Sequence, residues 1–354
     1  MRTILVTGGA GFIGSHTCVR LLEMNYKVII LDSFINSNYA VIKQIINIAK
    51  GKKEIFNDRV KLIVGDIRDE VLLNNVFKSC ALNKYPIDAV IHFAGLKSVK
   101  ESVKFPDKYW EVNVLGSQKL YKAMRKFNCF NLVFSSTAMI YGYTNDYFLK
   151  EDSAIKPNNP YGISKYEVEK FLFANFKQGG EECKIINLRY FNPIGAHSSG
   201  LIGEDPSGDP NNLFPIINEV ATRKREFLNI FGDNWPTPDG TGVRDYIHVM
   251  DLADAHIAAL LKCFNSESLF LSLNIGTGTG TSVLELVKEF EKANKINIPI
   301  VYKNRREGDV PILVAKNDLA LSVLNWIPKR SLREMCKDGW LWKLKNPDGY
   351  KINQ

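Results

Sequence analysis

A glycine run near the start of the chain, Gly8-Gly9-Ala10-Gly11-Phe12-Ile13-Gly14, limits the possible folds more than any other feature. It follows Thr3 to Thr7, whose β-prone apolar residues read as a short buried strand, and it leads into Ile13 to Leu22, which reads as a helix. Between a strand and a helix, such glycines permit a tight turn, let backbone amides approach a bound group, and let the helix pack closely on the strand. The free amides and positive end of that helix suit a pyrophosphate. The next apolar run, Lys27 to Leu31, ends at Asp32, where a carboxylate can accept hydrogen bonds from an adenosine ribose. It would also repel a 2′-phosphate, so NAD is expected rather than NADP. The alternative is a purely structural glycine turn.

The pattern then repeats. Val60 to Val64 leads to Asp66, Ala89 to His92 to Phe93-Ala94-Gly95, and Asn131 to Phe134 to Ser135-Ser136-Thr137. Helical stretches lie between the strands, notably Ala40 to Ala49 and Asp107 to Phe127, while Gly51 to Asp58 reads as surface loop. Near-continuous apolar strands alternating with helices predict an α/β class, a Rossmann-like doubly wound parallel sheet covered on both faces. In such sheets ligands bind beyond the carboxyl ends of the strands. After residue 190 the alternation loosens, and proline, glycine and asparagine become frequent. The expected division is therefore 1–190, a Rossmann domain for the dinucleotide, and 191–354, a smaller mixed α/β substrate-binding domain, with the chain interleaved between them.

Hydrophobic residues make up 45% of the chain and charged residues 24%, an ordinary globular profile. No apolar run has bilayer length, and no signal-peptide core follows Met1-Arg2-Thr3, so no membrane partner and a cytoplasmic location are expected. The net charge of +8 is scattered, and its densest cluster, Lys50-Gly51-Lys52-Lys53, lies in a loop-like stretch. Solvated surface explains that better than a nucleic-acid site. Cys18, Cys80, Cys129, Cys183, Cys263 and Cys336 form no CxxC pair, the histidines form no HExxH, and no metal is expected. Reduced, buried thiols are the expectation.

Tyr161-Gly162-Ile163-Ser164-Lys165 opens a predicted helix just after Pro160. Spacing of i, i+4 puts the phenol and the ammonium on one face. A phenol titrates near about 10 when unperturbed, and a neighbouring cation lowers that toward a usable base. The Gly276-Thr277-Gly278-Thr279-Gly280-Thr281-Ser282 stretch resembles a phosphate loop only superficially, because no lysine follows it. Ser282, or Thr281, is expected to cap a helix running to about Asn294, with Glu285 completing a capping box.

Together the glycine turn, the YxxxK pair and the hydroxyls at 135–137 resemble the extended short-chain dehydrogenase/reductase superfamily. A closer resemblance, nearly end to end, is to the UDP-glucose 4-epimerases. It is carried by Met1 to Asp32, Gly65-Asp66-Ile67, His92-Phe93-Ala94-Gly95-Leu96-Lys97 and Leu188-Arg189-Tyr190-Phe191-Asn192-Pro193. It continues in Gly203-Glu204-Asp205-Pro206, Pro210-Asn211-Asn212-Leu213, Asp239 to Val249 and Arg305-Arg306-Glu307-Gly308-Asp309.

The resemblance implies NAD as cofactor, held by Gly8, Gly11, Phe12, Ile13, Gly14, Asp32, Asn36, Ser37, Asp66, Ile67, Phe93, Ala94, Gly95, Lys97, Asn113, Ser135, Tyr161, Lys165 and Tyr190. It implies a UDP-hexose substrate, held by Thr137, Tyr161, Phe191, Asn192, Asn212, Leu213, Asn229, Ile230, Phe231, Arg244, Tyr246, Arg306 and Leu313. Tyr161 would be the base, Lys165 its electrostatic partner, and Thr137 the hydroxyl beside the sugar O4. The two arginines suit a diphosphate, since guanidinium groups donate paired hydrogen bonds, with exposed surface charge as the alternative reading. Relatives carry serine where this chain has Thr137, so the stiffer threonine must point its hydroxyl inward. Related dehydratases carry an acidic pair where this chain has Ala138 and Met139, which disfavours water elimination. The resemblance also places a size gate at Leu313, where tyrosine is associated with excluding 2-acetamido sugars, and it implies a homodimer. Rival readings are another UDP-sugar modifier (a uronate epimerase or decarboxylase) and a non-catalytic dinucleotide sensor.

Overall fold

The computed structural model describes residues 1–50, 59–144, 146–179, 182–306 and 309–350. The expected Gly51–Asp58 loop, and Glu307-Gly308 of the arginine motif, lie outside the described residues. In chain order the elements begin β1 (Thr3–Thr7), α1 (Phe12–Glu23), β2 (Lys27–Asp32), α2 (Ala40–Lys50), β3 (Val60–Val64), α3 (Glu70–Leu82) and β4 (Ile87–His92). Next come α4 (Val99–Lys104), α5 (Pro106–Tyr109), a π-helical segment (Trp110–Leu115), α6 (Gly116–Lys126), β5 (Asn131–Thr137), β6 (Phe148–Leu149) and α7 (Pro160–Lys177). These are followed by β7 (Lys184–Tyr190), β8 (Asn192–Ile194), α8 (Leu213–Ala221), β9 (Leu228–Phe231), β10 (Val243–Arg244), β11 (Tyr246–His248), α9 (Val249–Phe264) and β12 (Leu269–Ile275). The last are β13 (Thr281–Ser282), α10 (Val283–Asn294), β14 (Ile300–Lys303), β15 (Ile312–Ala315), α11 (Asp318–Leu324) and α12 (Leu332–Lys345).

The expected Rossmann-like sheet is present, with strand order β12-β7-β5-β4-β1-β2-β3. β1 pairs in parallel with both β2 and β4, so Thr7 lies opposite Leu31 on one side and His92 on the other. The glycine turn, Asp32 and Phe93 thus leave the sheet at one edge, where the strand order reverses and ligands bind in such folds. All five residues of β1 are buried, as a strand covered on both faces requires. Leu5, Ile29, Val90 and Phe134 pack with Leu120, Met124 and Leu172 in one core. Fully burying each such side chain contributes about 1.5–3 kcal/mol.

The sequence predicted one helix over 107–127, and the structure differs. The six-residue π segment Trp110–Leu115 separates α5 from α6. Asn113 within it is drawn toward the neighbouring loop: its Oδ1 accepts from Leu96 N at 2.8 Å, and its Nδ2 donates to Leu96 O and to Ser164 Oγ of α7. Bulges of this kind recur at functional sites. β5 also runs on through Thr137, beyond the expected end at Phe134.

The chain divides into two compact units, Met1–Gly142, Ile155–Arg189 and Ala253–Leu273 forming one, and Tyr143–Ala154, Tyr190–Leu252 and Asn274–Gln354 the other. The second unit holds a four-stranded sheet, β13-β10-β15-β6, and the pairs β11-β8 and β14-β9. Its core sets Phe290 edge-on against both Phe214 and Trp340. As expected, Ser282 caps α10 and forms a capping box with Glu285. The preceding glycine–threonine loop wraps a carboxylate of its own chain, because Thr277 N and Gly278 N donate to the buried Asp245 at 2.8 and 3.0 Å. All six cysteines are free and buried. Among the described residues no helix is long and apolar enough to cross a membrane.

Candidate active site

The site begins where β1 turns into α1. Gly8 has φ +69°, a left-handed conformation that favours glycine, and a Cβ there would fall 2.6 Å from Ala94 N. At Gly14 a Cβ would fall 2.3 Å from Gly8 O, and at Gly11 it would come within 3.2 Å of the same atom. Gly11 caps α1 without any side-chain bond, which leaves the first-turn amides for an anion. Phe12 and Ile13 are half-buried there. Asp32, only 6% exposed, accepts from Ala10 N, Phe34 N and Ser37 Oγ at 2.9, 3.0 and 2.8 Å. It fixes the glycine turn and the 33–37 loop around a carboxylate that disfavours a 2′-phosphate. A cradle that admits no Cβ, an uncapped helix start and this carboxylate fit an NAD molecule.

The other predicted cofactor residues divide into two groups. Ile67 is buried beside Gly116, and Asn113 is buried, while Phe93, Ala94 and Gly95 line the loop after β4. A Cβ at Gly95 would meet Asn113 Oδ1 at 3.0 Å and Lys165 Nζ at 3.5 Å, so this loop and the YxxxK helix are brought together. Asn36 and Lys97 are exposed, and Tyr190 is half-buried at the end of β7. Asp66 is engaged by Arg68, whose backbone N and guanidinium both donate at 2.8 Å and hold the carboxyl below its usual range. Sequence reasoning missed that ion pair, although Arg68 stands only two residues away. It also missed a buried relay in which His92 meets Thr7 Oγ1 at 2.7 Å and Ser117 Oγ at 2.8 Å.

Tyr161 lies in the first turn of α7, which Asn159 caps by accepting from Gly162 N at 2.9 Å. The ring is 8% exposed and packs with Leu96, Tyr109 and Val112. Thr137, at the end of β5, is the side chain that acts on its hydroxyl. The Thr137 hydroxyl accepts from Met139 N at 3.2 Å. Lys165, one turn along α7 and 4% exposed, donates from Nζ to Ser135 O at 2.8 Å. Burial lowers it to about 8.

Burial raises the Tyr161 phenol above its ordinary value, and the Thr137 side chain opposes that rise.

In the second unit, Phe191 and Tyr246 are buried, and Asn192 Nδ2 donates to Asp245 O at 3.1 Å. Asn212 and Leu213 mark the start of α8, and Asn212 donates to Glu204 at 3.2 Å. Asn229, Ile230 and Phe231 lie on β9, where the Arg306 guanidinium stacks 3.8 Å from the Phe231 ring centre. Arg244 pairs with Asp309 at 2.6 Å with its side chain 18% exposed, so it is not a solvated surface charge. Leu313 is half-buried and stands in register with Arg244 across β10 and β15. Sequence reasoning missed the neighbouring cleft of about 340 Å³, lined by residues 232–234 and 302–305. There Arg305 stacks 4.0 Å from the Trp235 ring and donates to Asn234 at 2.9 Å.

Comparison with known proteins gives the family. The sequence model of the family described as GDP-mannose 4,6 dehydratase matches residues 5–339. UDP-glucose 4-epimerase 2 of Arabidopsis thaliana is 46% identical over 349 residues, covering 99% of this chain and 97% of the relative. The UDP-glucose 4-epimerase of Stenotrophomonas maltophila, solved with NAD and formylated UDP-arabinopyranose, superposes with a TM-score of 0.92 at 41% identity, covering 98% of this chain and 99% of the other. That of Bifidobacterium longum, solved with NAD+ and UDP, gives 0.88 at 42% identity, with the same 98% and 99% covered. The chain belongs to this family, and within it to the UDP-glucose 4-epimerases.

Proposed function

We propose that this enzyme interconverts UDP-galactose and UDP-glucose through a transient 4-keto sugar. The observation that carries the reading is the buried Tyr161, with Lys165, also buried, one turn along the same face of α7. The Tyr161 oxygen takes the proton from the sugar O4 and later returns it, and Thr137 holds O4 beside the phenol. Lys165 steadies the negative charge that develops on Tyr161. When bound, NAD supplies a reversible two-electron acceptor for C4, and no net oxidation results. The cradle of Gly8, Gly11, Gly14 and Asp32 would hold it, together with the remaining cofactor residues named above.

Arg244 and Arg306 suit the diphosphate, and the Phe231 face suits the uracil ring, so the sugar is free to turn while its UDP stays anchored. A non-catalytic sensor has no use for a buried tyrosine and a buried lysine one turn apart on one helix face. Dehydration lacks its acid, since Ala138 and Met139 carry no carboxyl. Val99, Val103, Phe105 and Trp110 leave an exposed apolar face on α4 and the segment after it, which supports a homodimer. The test is conversion of UDP-galactose by the purified protein. A preparation that leaves it unchanged refutes the proposal.

The sugar pocket is proposed to be graded in its preference. Leu313 is shorter than tyrosine, so UDP-N-acetylglucosamine should turn over measurably but more slowly than UDP-glucose. A steric change of about a methylene shifts such preferences by roughly 1–3 kcal/mol. In Leu313→Tyr, acetamido turnover should disappear while galactose turnover persists. Equal loss on both sugar pairs removes Leu313 as the gate.

A further inference from the structure

On α7 the spacing that aligns Tyr161 with Lys165 also places Glu169 one further turn along the same face. Glu169 is 4% exposed and Lys165 is 4% exposed, so a carboxylate and an ammonium stand one helical turn apart out of water. They would pair if nothing intervened. What intervenes is Arg189 on β7, itself 5% exposed. Its Nε donates to both Glu169 oxygens at 3.1 and 3.2 Å, and its Nη2 donates to Oε2 at 2.6 Å. Its Nη1 donates to the Tyr141 hydroxyl at 3.1 Å, and Ser136 Oγ, next to Thr137, also donates to Glu169. The Glu169 carboxylate is thus fully occupied from β5 and β7, and Lys165 Nζ is left on Ser135 O.

We propose that Arg189 is a positioning residue: by holding Glu169 in a forked ion pair, it keeps that carboxylate off Lys165 and leaves the ammonium aimed past Ser135 toward the reacting hydroxyls. Neutralising Glu169 in place also removes a negative charge that would oppose phenolate formation at Tyr161. The inference rests on the reading of Lys165 as the electrostatic partner of Tyr161.

Three purified holoenzymes test it, each compared per folded molecule by circular dichroism: native, Arg189→Met, and the double variant Glu169→Gln with Arg189→Met. In the single variant, freed Glu169 should capture Lys165, lowering kcat about tenfold or more with KM for UDP-galactose nearly unchanged. In the double variant no carboxylate remains to capture it, and kcat should return to within about threefold of native, a strongly non-additive cycle. A merely structural ion pair would predict lost stability in the single variant without that rescue. If Arg189→Met does not accumulate as folded protein, the neutral polar Arg189→Gln is read instead, with kcat expected to fall and KM to hold. Native kcat in either single variant, or a double variant as slow as Arg189→Met, overturns the inference. Absence of UDP-galactose conversion by the native chain would overturn the functional reading as well, and so is distinguishable from failure of the Arg189 role alone.

Discussion

Tyr161→Phe is expected to lower turnover at least about a hundredfold, the scale of losing a general base, while UDP affinity stays close to native. The hydroxyl is the only part removed. The ring keeps its packing against Leu96, Tyr109 and Val112, so folding should hold, and the proposed UDP contacts lie on other residues. What disappears is the hydroxyl proposed to exchange the O4 proton. Steady-state kinetics on UDP-galactose, paired with calorimetric titration of UDP, separates chemistry from binding. Near-native turnover in Tyr161→Phe would show that the proton is handled elsewhere.

Gly14→Val is expected to be as severe by a different route. Its first added carbon would sit 2.3 Å from Gly8 O and 2.8 Å from Gly9 Cα, and both are backbone atoms that cannot swing aside. Overpacking of this kind costs typically about 1–3 kcal/mol in stability. The larger consequence is that the glycine turn opens and its amides lose their common aim. The purified variant should release no NAD or NADH on denaturation and should lack epimerase activity. Gly11→Ala, with a single contact at 3.2 Å, should be much milder. Full dinucleotide content in Gly14→Val would contradict the assigned cradle.

Much of the fold was legible because its signals are local. β1, the glycine turn, α1 and β2 form one continuous stretch of chain, and periodicity plus glycine placement suffice to read it. The Ser282–Glu285 box was legible for the same reason. The π segment was not, because apolar periodicity over 107–127 fits a plain helix, and what widens it is the pull of Leu96 and Ser164 on Asn113. Nor was the ion pair of Glu169 with Arg189, whose partners meet only when α7 packs on the sheet. The chemistry of Tyr161 was legible as to residue and spacing. The burial that raises its phenol was not, since it depends on how α7 and its neighbours pack around the ring. The resemblance named the uridine-side residues, but the stacking of Arg306 on Phe231 needed coordinates.

The central claim is that C4 is oxidised and reduced again by one enzyme without net loss of electrons. The direct measurement incubates purified protein with UDP-galactose deuterated at C4, with no added NAD and no reductant, and analyses the product by mass spectrometry. The account predicts UDP-glucose that keeps its deuterium, formed over many turnovers by the dinucleotide the protein already carries. Product that has lost the label to solvent, or formation that stops unless NAD is supplied in stoichiometric amounts, would contradict it.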